Sequence, residues 1–403
     1  MNRRVLLAWE AGAGHGHARR LAILGEALHA RHWRVSHCGR YLEAEFERLG
    51  RFAEHVFQAP IVRGRALPGD RLPADYGELL EVMGFGAAQS LAPLIRADRA
   101  ILEACRPDIV IADFAPAMVL AARGIAPVLV VGDGFVVPPA HLAAFPPLRP
   151  GAAPGAGHRD LRTALGAVLG PGARIGALAL PALIGGDAQV VTVLPEFDVY
   201  ASYRTESAAG RLGPLPPPCA RWEEDAGVIF YLAGDYLPTA GLLQAIGESG
   251  ASARGYIRGA TGEHAKIARQ YGIELSAEPL PLAECLSGGP LVAHHGGIET
   301  VQEAAAAGCA QCLFPRHLEQ AANAAAVRAH GLGIAIPSGG FERGDAAARI
   351  RALLADRAVR DAAIGFARRL RRRDGLRQVL AAVQSLQESA AAGPAAPGSG
   401  AGV

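Results

Sequence analysis

Short apolar runs alternate with stretches of helical spacing along the first 135 residues. VLLAW (5–9), RVSHC (34–38), DIVIAD (108–113) and PVLVVGD (127–133) have the length and apolar density of buried strands. Between them, RLAILGEALHARH (20–32) places Leu21, Leu24 and Leu28 on one helical face. Residues 78–105 are largely helical in pattern, and PAMVLAARG (116–124) is a helix closed by Gly124. Strands alternating with helices at this pitch predict a parallel sheet covered on both faces. The pattern fades over 138–187, where Pro, Gly and Ala predict long loops, and returns as a strand in VVTVLPEF (190–197).

The segment RTESAAGRLGPLPPPCARW (204–222) interrupts the periodicity with Pro214, Pro216, Pro217 and Pro218, which marks a linker. Beyond it the alternation restarts. Strands are expected at 227–234, 254–259, 290–295 and 309–315, with helices at 240–249, 262–271, 297–308 and about 319–330. A charged helical stretch runs on to about 387. The expected organisation is an N-terminal domain over 1–204, a linker over 205–224, a C-terminal domain over 225–387 and a disordered tail over 388–403. Two similar α/β halves point to two Rossmann-like domains with parallel sheets facing across a cleft.

Composition narrows the function classes. A chain of 403 residues exceeds one ordinary core. Its 40 basic and 38 acidic side chains nearly cancel, so no broad field recruits nucleic acid. The start, MNRRVLLAWEAG, lacks the longer apolar core of a signal peptide, and no uncharged apolar stretch reaches membrane-spanning length. A cytoplasmic protein is expected. The six cysteines are scattered, and Cys309 with Cys312 lies in the apolar run CAQCLF, which favours a buried strand over a metal or redox site. The basic segment ARRLRRRDGLR (367–377) reads as a solvated helix face, with peripheral contact to an anionic membrane as the alternative.

Candidate chemistry lies in two strand-to-helix turns. GAGHGHARRL (12–21) has Gly12, Gly14 and Gly16 one residue short of a dinucleotide fingerprint, and no acid ends the second strand. The glycines turn the backbone sharply and keep side chains away from the sheet edge. His17 then lies in the first helical turn, where a neutral imidazole suits a general base; an exposed or helix-capping histidine is the plainer reading. His15 and His17 lack an evident third metal ligand. Asp113 ends a buried strand of the same half, placed to fix the imidazole tautomer or to cap the next helix. In the second half, His295, Gly296 and Gly297 stand where a strand becomes a helix, whose free N–H groups form an anion site. Thr300 lies one turn in, able to reach phosphate, and Glu303 one turn further, able to bind a ribose. Glu319 and Gln320 stand at the next such corner.

These residues carry a resemblance. HHGGIETVQEA…GCAQCLFPRHLEQAANA resembles the donor-binding signature of GT-B glycosyltransferases related to the UDP-glycosyltransferases, in the order His-x-Gly-x-x-Ser/Thr-x-x-Glu, then Pro-x-x-x-Asp/Glu-Gln and Asn-Ala. GAGHGHARRLAILGEALHARHWRV and PDIVIADFAPAMVLAARGIAPVLVV are similar to that family's Gly-His loop and Asp-bearing strand. The likeness spans most of 3–135 and 225–335. It implies a GT-B fold and an inverting, metal-independent transfer of a hexose from a nucleoside-diphosphate sugar to an acceptor hydroxyl of a small molecule or lipid. UDP is the first expectation for the donor nucleotide and TDP the second. No cofactor is implied.

By position, His17 matches the family's catalytic histidine and Asp113 the carboxylate behind it. His295, Gly296, Gly297 and Thr300 match the diphosphate site, Glu303 the ribose contact, and Glu319 with Gln320 the sugar contacts. Gly14, Gly16 and Pro279 match further loop positions. The chain departs from the pattern at Ile298–Glu299, at Ala277, where many relatives stack a tryptophan on the base, and at Ala310. Arg19 and Arg20 replace an Asn-Pro pair, to hold a substrate charge or simply to cover the helix. Two rivals share the fold: a nucleotide-sugar epimerase, and a non-catalytic partner protein that binds the nucleotide sugar.

Overall fold

The computed structural model describes residues 3–392 except 13–15, 44–45, 62–71, 150, 153–157, 171–177, 224, 338 and 340. The chain divides into two compact units, one of residues 1–213 with 374–403, the other of residues 214–373.

The first unit is built on six parallel strands: β1 (Arg4–Trp9), β2 (Arg34–Gly39), β3 (Ala53–Gln58), β4 (Ile109–Asp113), β5 (Val128–Gly132) and β6 (Ala188–Val191). Their order is β3-β2-β1-β4-β5-β6. Chain direction around the sheet therefore reverses between β1 and β4, which are paired from Val5–Ile109 to Ala8–Ala112. In such doubly wound sheets the space above this reversal is where loops part and ligands bind. The central strands are continuous apolar runs because helices cover both faces: β4 and β5 are buried at every residue. Helix Gly16–His29 supplies Leu21, Leu24 and Leu28 to a core shared with Val5, Leu7, Ile109 and Leu129.

The second unit repeats the plan with β7 (Val228–Ala233), β8 (Ala253–Arg258), β9 (Glu274–Ser276), β10 (Leu291–His294), β11 (Gln311–Leu313) and β12 (Gly333–Ala335). The order β12-β11-β10-β7-β8-β9 puts its reversal between β7 and β10. Its core joins Phe230, Leu243, Ile246, Ala293 and Phe314. Each unit is thus a Rossmann-like α/β domain, as the alternating pattern predicts. Cys309 and Cys312 are buried in the β11 region, and burial pushes the Cys312 thiol up to about 12, so neither is poised as a thiolate.

Several elements differ from expectation. The edge strands β3, β9 and β12 were not predicted; β3 is half-exposed, and β9 and β12 have three residues each. Residues 78–105 hold two helices, Tyr76–Val82 and Ala88–Cys105, separated by a turn in which Gly84 adopts positive φ. The expected loops of 138–187 include helices Arg159–Leu169 and Leu180–Ile184. Helix Gly375–Ala392 occupies the start of the expected tail, whose remaining residues lie outside those described.

That last helix also groups with the first unit, where the expected C-terminal domain ran to 387. The reason is its apolar stripe: Leu376, Val379, Leu380, Val383 and Leu386 pack with Ala188 and Val190 of β6. The basic segment before it is partly spent on the linker. Arg368 donates to the Ala220 carbonyl, and Arg372 donates to those of Leu215 and Pro216. No helix among the described residues is long and apolar enough to cross a membrane.

Candidate active site

The site of the first unit lies at its β1/β4 reversal. After β1 the chain passes Gly12 at φ +87°, a left-handed conformation open to glycine, and enters helix Gly16–His29. Gly14 and His15 lie outside the described residues, and Gly16 opens the helix. His17 follows, buried, with its Nδ1 2.9 Å from Oδ1 of Asp113 at the end of β4. That contact assigns the Nδ1 proton to the Asp113 bond and leaves Nε2 with its lone pair free to accept. A Cβ at position 12 would stand 2.8 Å from Nε2, so glycine there leaves this nitrogen unblocked by a side chain.

Asp113 is fully buried and shared. Arg20 Nε donates to its other oxygen at 2.7 Å, and an Arg20 Nη lies 3.7 Å from Asp133, just beyond β5. Two strand ends and one helix start thereby converge on a buried His–Asp–Arg–Asp network. Burial resists charge on Asp113, but Arg20 and His17 overcome it and hold the carboxyl below its usual range. Burial likewise opposes the His17 cation, yet the Asp113 carboxylate wins and raises the imidazole pKa above 6.5. An imidazole in this state is a stronger base than a free histidine, oriented by a carboxylate that stays ionised.

The surrounding residues fix this arrangement. Trp9 stacks on the His17 ring with centroids 5.5 Å apart, and Phe114 lies 5.8 Å away on a tilted plane. Phe114 sits at φ +50°, a strained conformation for an aromatic residue, and its carbonyl accepts N–H groups from Glu10 and Ala11. The Glu10 carboxylate crosses the same corner to accept the N–H groups of Ala117 and Met118, at 2.9 and 2.7 Å, at the start of helix Pro116–Ala122. The ends of β1 and β4 are therefore tied twice. Beyond Phe114, the buried rings of Tyr76 and Phe145 continue the aromatic packing, with Tyr76 Oη donating to the Val136 carbonyl.

The second unit's reversal carries His295, Gly296, Gly297, Thr300 and Glu303. His295 follows β10, but both of its ring nitrogens are spent: Nδ1 donates to the Phe314 carbonyl at 2.9 Å, and Nε2 accepts the Ala233 N–H at 3.0 Å. Its imidazole is pushed down to about 4, chiefly by burial, and stays neutral. In the structure this ring braces the ends of β7, β10 and β11. His294 is braced too, Nε2 to Gln311 and Nδ1 accepting from the Gly296 N–H.

Gly296 at φ +89° and Gly297 then turn the chain into the ten-residue helix Ile298–Ala307. No side chain caps Gly297, and a Cβ there would meet nothing within 4 Å, so the start of this helix is open. Asn323 donates to the Gly296 carbonyl at 2.9 Å and holds the turn. Thr300 is half-buried in the first turn, and Glu303 is buried one turn on. Glu319 and Gln320 are half-buried in the first turn of helix Leu318–Ala329, and Gln320 Oε1 accepts the Arg316 N–H. Pro279 is exposed in the loop after β9.

Arg20, Asp133, Trp9 and Glu10 were not assigned this role from sequence. Two of them had a readable signal. Arg20 is three residues from His17 on a helix and so shares its face, and Asp133 ends a buried strand as Asp113 does.

Comparison with known proteins agrees with this architecture. Residues 272–373 match the family model described as the erythromycin biosynthesis protein CIII-like C-terminal domain. The structure resembles CalG4, the calicheamicin glycosyltransferase, with TM-score 0.67 and 21% identity over 98% of this chain and 100% of that one. It also resembles the glycotransferase of kitacinnamycin (TM-score 0.63, 20% identity, 96% and 99% covered). The spinosyn rhamnosyltransferase SpnG complexed with thymidine diphosphate gives a TM-score of 0.60 at 19% identity, with 95% and 100% covered. A search of curated proteins by sequence found no match. The two Rossmann-like units and these likenesses give the chain the GT-B fold, and over most of its second unit it resembles the erythromycin CIII-like C-terminal domain.

Proposed function

We propose that this chain is an inverting glycosyltransferase that moves a hexose from a nucleoside-diphosphate sugar to an acceptor hydroxyl. The observation that carries the reading is the buried His17–Asp113 pair, with Nδ1 held by the carboxylate and Nε2 facing the bare edge of Gly12. His17 Nε2 takes the acceptor's proton as its oxygen bonds to the anomeric carbon. The bond from that carbon to the diphosphate breaks, and the electron pair leaves with the nucleoside diphosphate. Asp113 stabilises the imidazolium that results. General-base assistance of this kind is worth about 10²- to 10⁴-fold.

The donor's diphosphate is assigned to the open start of helix Ile298–Ala307, where Gly297, the first N–H groups and Thr300 meet its charge. Glu303 binds the ribose, and Glu319 and Gln320 the sugar hydroxyls. His295 and Asn323 hold that corner in shape. The acceptor, a small molecule or a lipid, is assigned to the first unit, where its hydroxyl meets His17. UDP and TDP are both candidate nucleotides; two of the similar structures hold TDP, which moves TDP up from second place.

A thermal-shift screen with UDP, TDP and their hexose conjugates tests the donor. One nucleotide is expected to raise the melting temperature of wild type and His17→Ala alike. Proton NMR of the glycoside formed from an acceptor pool then reads the anomeric configuration, opposite to the donor's for an inverting enzyme. No binding by either nucleotide, or a product with retained configuration, contradicts the proposal.

A further inference from the structure

We infer that Arg20 is a positioning residue that keeps His17 in its neutral, proton-accepting form by dividing the Asp113 carboxylate with it, and that Asp133 sets how strongly it does so. The inference deepens the function proposed above and rests on that reading for its catalytic meaning. Its physical content concerns His17 itself.

The geometry is specific. Arg20 is 4% exposed, and its Nε donates to Asp113 Oδ2 at 2.7 Å while His17 Nδ1 holds Oδ1 at 2.9 Å. A second Arg20 nitrogen, Nη2, reaches Oδ1 as well, at 3.5 Å, so the two cation-capable groups share the carboxylate. One Arg20 Nη lies 3.3 Å from His17 Nδ1, so the fixed guanidinium charge stands against any proton added to the ring. Asp133 reaches the same guanidinium from the β5 end at 3.7 Å. Its other oxygen accepts the N–H groups of Phe135 and Val136, which hold the carboxyl in place. The charges acting on His17 are Asp113 from β4, Arg20 from its own helix and Asp133 from beyond β5. The neighbours on its other sides, Trp9 and Phe114, are uncharged aromatic rings.

A histidine paired with an unopposed buried carboxylate would hold its proton too well to collect another from a hydroxyl. Catalysis of this type needs the neutral ring before each turnover, with a pKa close to the working pH. Arg20 supplies that ceiling. Burial and Asp113 compete over the imidazole, and Arg20 pulls it down while Asp133 pulls it up. A surface arginine covering the helix has no such effect, and a guanidinium with both its neighbours buried in the network is poorly placed to meet a substrate charge.

The test reads the imidazole without a substrate. Protein labelled with ¹³C at histidine Cε1 is titrated by NMR from pH 5 to 9, and the His17 resonance is assigned by its absence in His17→Gln. Arg20→Met is expected to raise the His17 midpoint by about one unit or more, the scale of removing a like charge at this distance. Arg20→Lys is expected to return most of the shift. Asp133→Asn is expected to move the midpoint the other way, downward. Opposite shifts from opposite charges cannot come from loosened packing, which would move both variants toward a solvated histidine. An unchanged or lowered midpoint in Arg20→Met, or an unchanged or raised one in Asp133→Asn, overturns the inference; if Arg20→Met does not fold, Asp133→Asn still decides it. The pH–rate profile gives the catalytic half: the acidic limb of Arg20→Met should move up by the same interval. A shifted midpoint in a protein that transfers no sugar would retain Arg20's effect on His17 and refute the proposed function instead.

Discussion

At the scale of single residues the proposed chemistry turns on Gly12 and His17, because a methyl at position 12 would stand against Nε2. A Cβ at position 12 would meet Nε2 at 2.8 Å and the Phe114 ring at 3.1 Å, and φ +87° strains any side chain there. Gly12→Ala is therefore expected to lower turnover by at least about tenfold, a cost of about 1.4 kcal/mol, while donor affinity stays unchanged. Steady-state kinetics together with calorimetric donor titration check this; turnover equal to wild type would show that the His17 edge is not the working face. Much of this residue set was legible. His17 and Asp113 stood at strand-to-helix corners of one half, and a histidine with a carboxylate partner is a known chemical unit. The use of Arg20 was harder to read, since burial of an arginine depends on two carboxylates 93 and 113 positions away. His295 shows the opposite limit: its place in the motif was plain, but only the backbone partners Ala233 and Phe314 reveal that its ring has no nitrogen to give.

Elements carry these residues to their places, and the last helix shows how. Gly375–Ala392 has a regular apolar stripe, so its existence could be read from spacing alone. Which sheet it covers could not, because Val379 and Val383 suit any apolar surface. In the structure both are buried against the first unit. Val379→Ala and Val383→Ala are each expected to cost about 1–3 kcal/mol of that unit's stability, the cost of deleting two buried methyl groups. Hydrogen exchange should show the loss in β1, β4, β5 and β6 and spare β7, β10 and β11; loss confined to the second unit would reverse the assignment. The missed strands have a related cause. β3 is an edge strand with the mixed sequence AEHVFQ, and β9 and β12 span three residues each, too short for alternation to register. Central strands were readable because burial on both faces makes them apolar throughout.

Over the whole molecule the two units share one topology but store charge differently, and pH should separate them. In the second unit His294 and His295 are both pushed down to about 4 by burial, so the unfolded chain binds protons there that the folded unit refuses. Their contribution is complete above pH 6.5 and is lost as pH falls toward 4, at about 1.4 kcal/mol per pH unit for each histidine. The first unit has the reverse balance over the same range. Burial raises Glu10 to about 7 and Asp98 to about 10, so the folded unit keeps protons that the unfolded chain has released. His37, lowered by burial to about 4, offsets one of these two. Acidification from pH 6.5 to 4.5 is thus expected to destabilise the second unit while leaving the first unchanged or slightly more stable. Hydrogen exchange at the two pH values, read separately for each sheet, distinguishes this from uniform acid loss. The Rossmann-like plan of both halves followed from the strand–helix alternation, whereas these buried charges depend on contacts between distant strands and helices.

The measurement that bears most directly on the account is release of nucleoside diphosphate by wild type and His17→Ala, at saturating donor and with an acceptor pool present. Both proteins are expected to bind the donor with similar affinity, and His17→Ala to turn over about 10²- to 10⁴-fold more slowly. Turnover of His17→Ala within a few-fold of wild type would show that His17 is not the base, and the mechanism would have to be withdrawn.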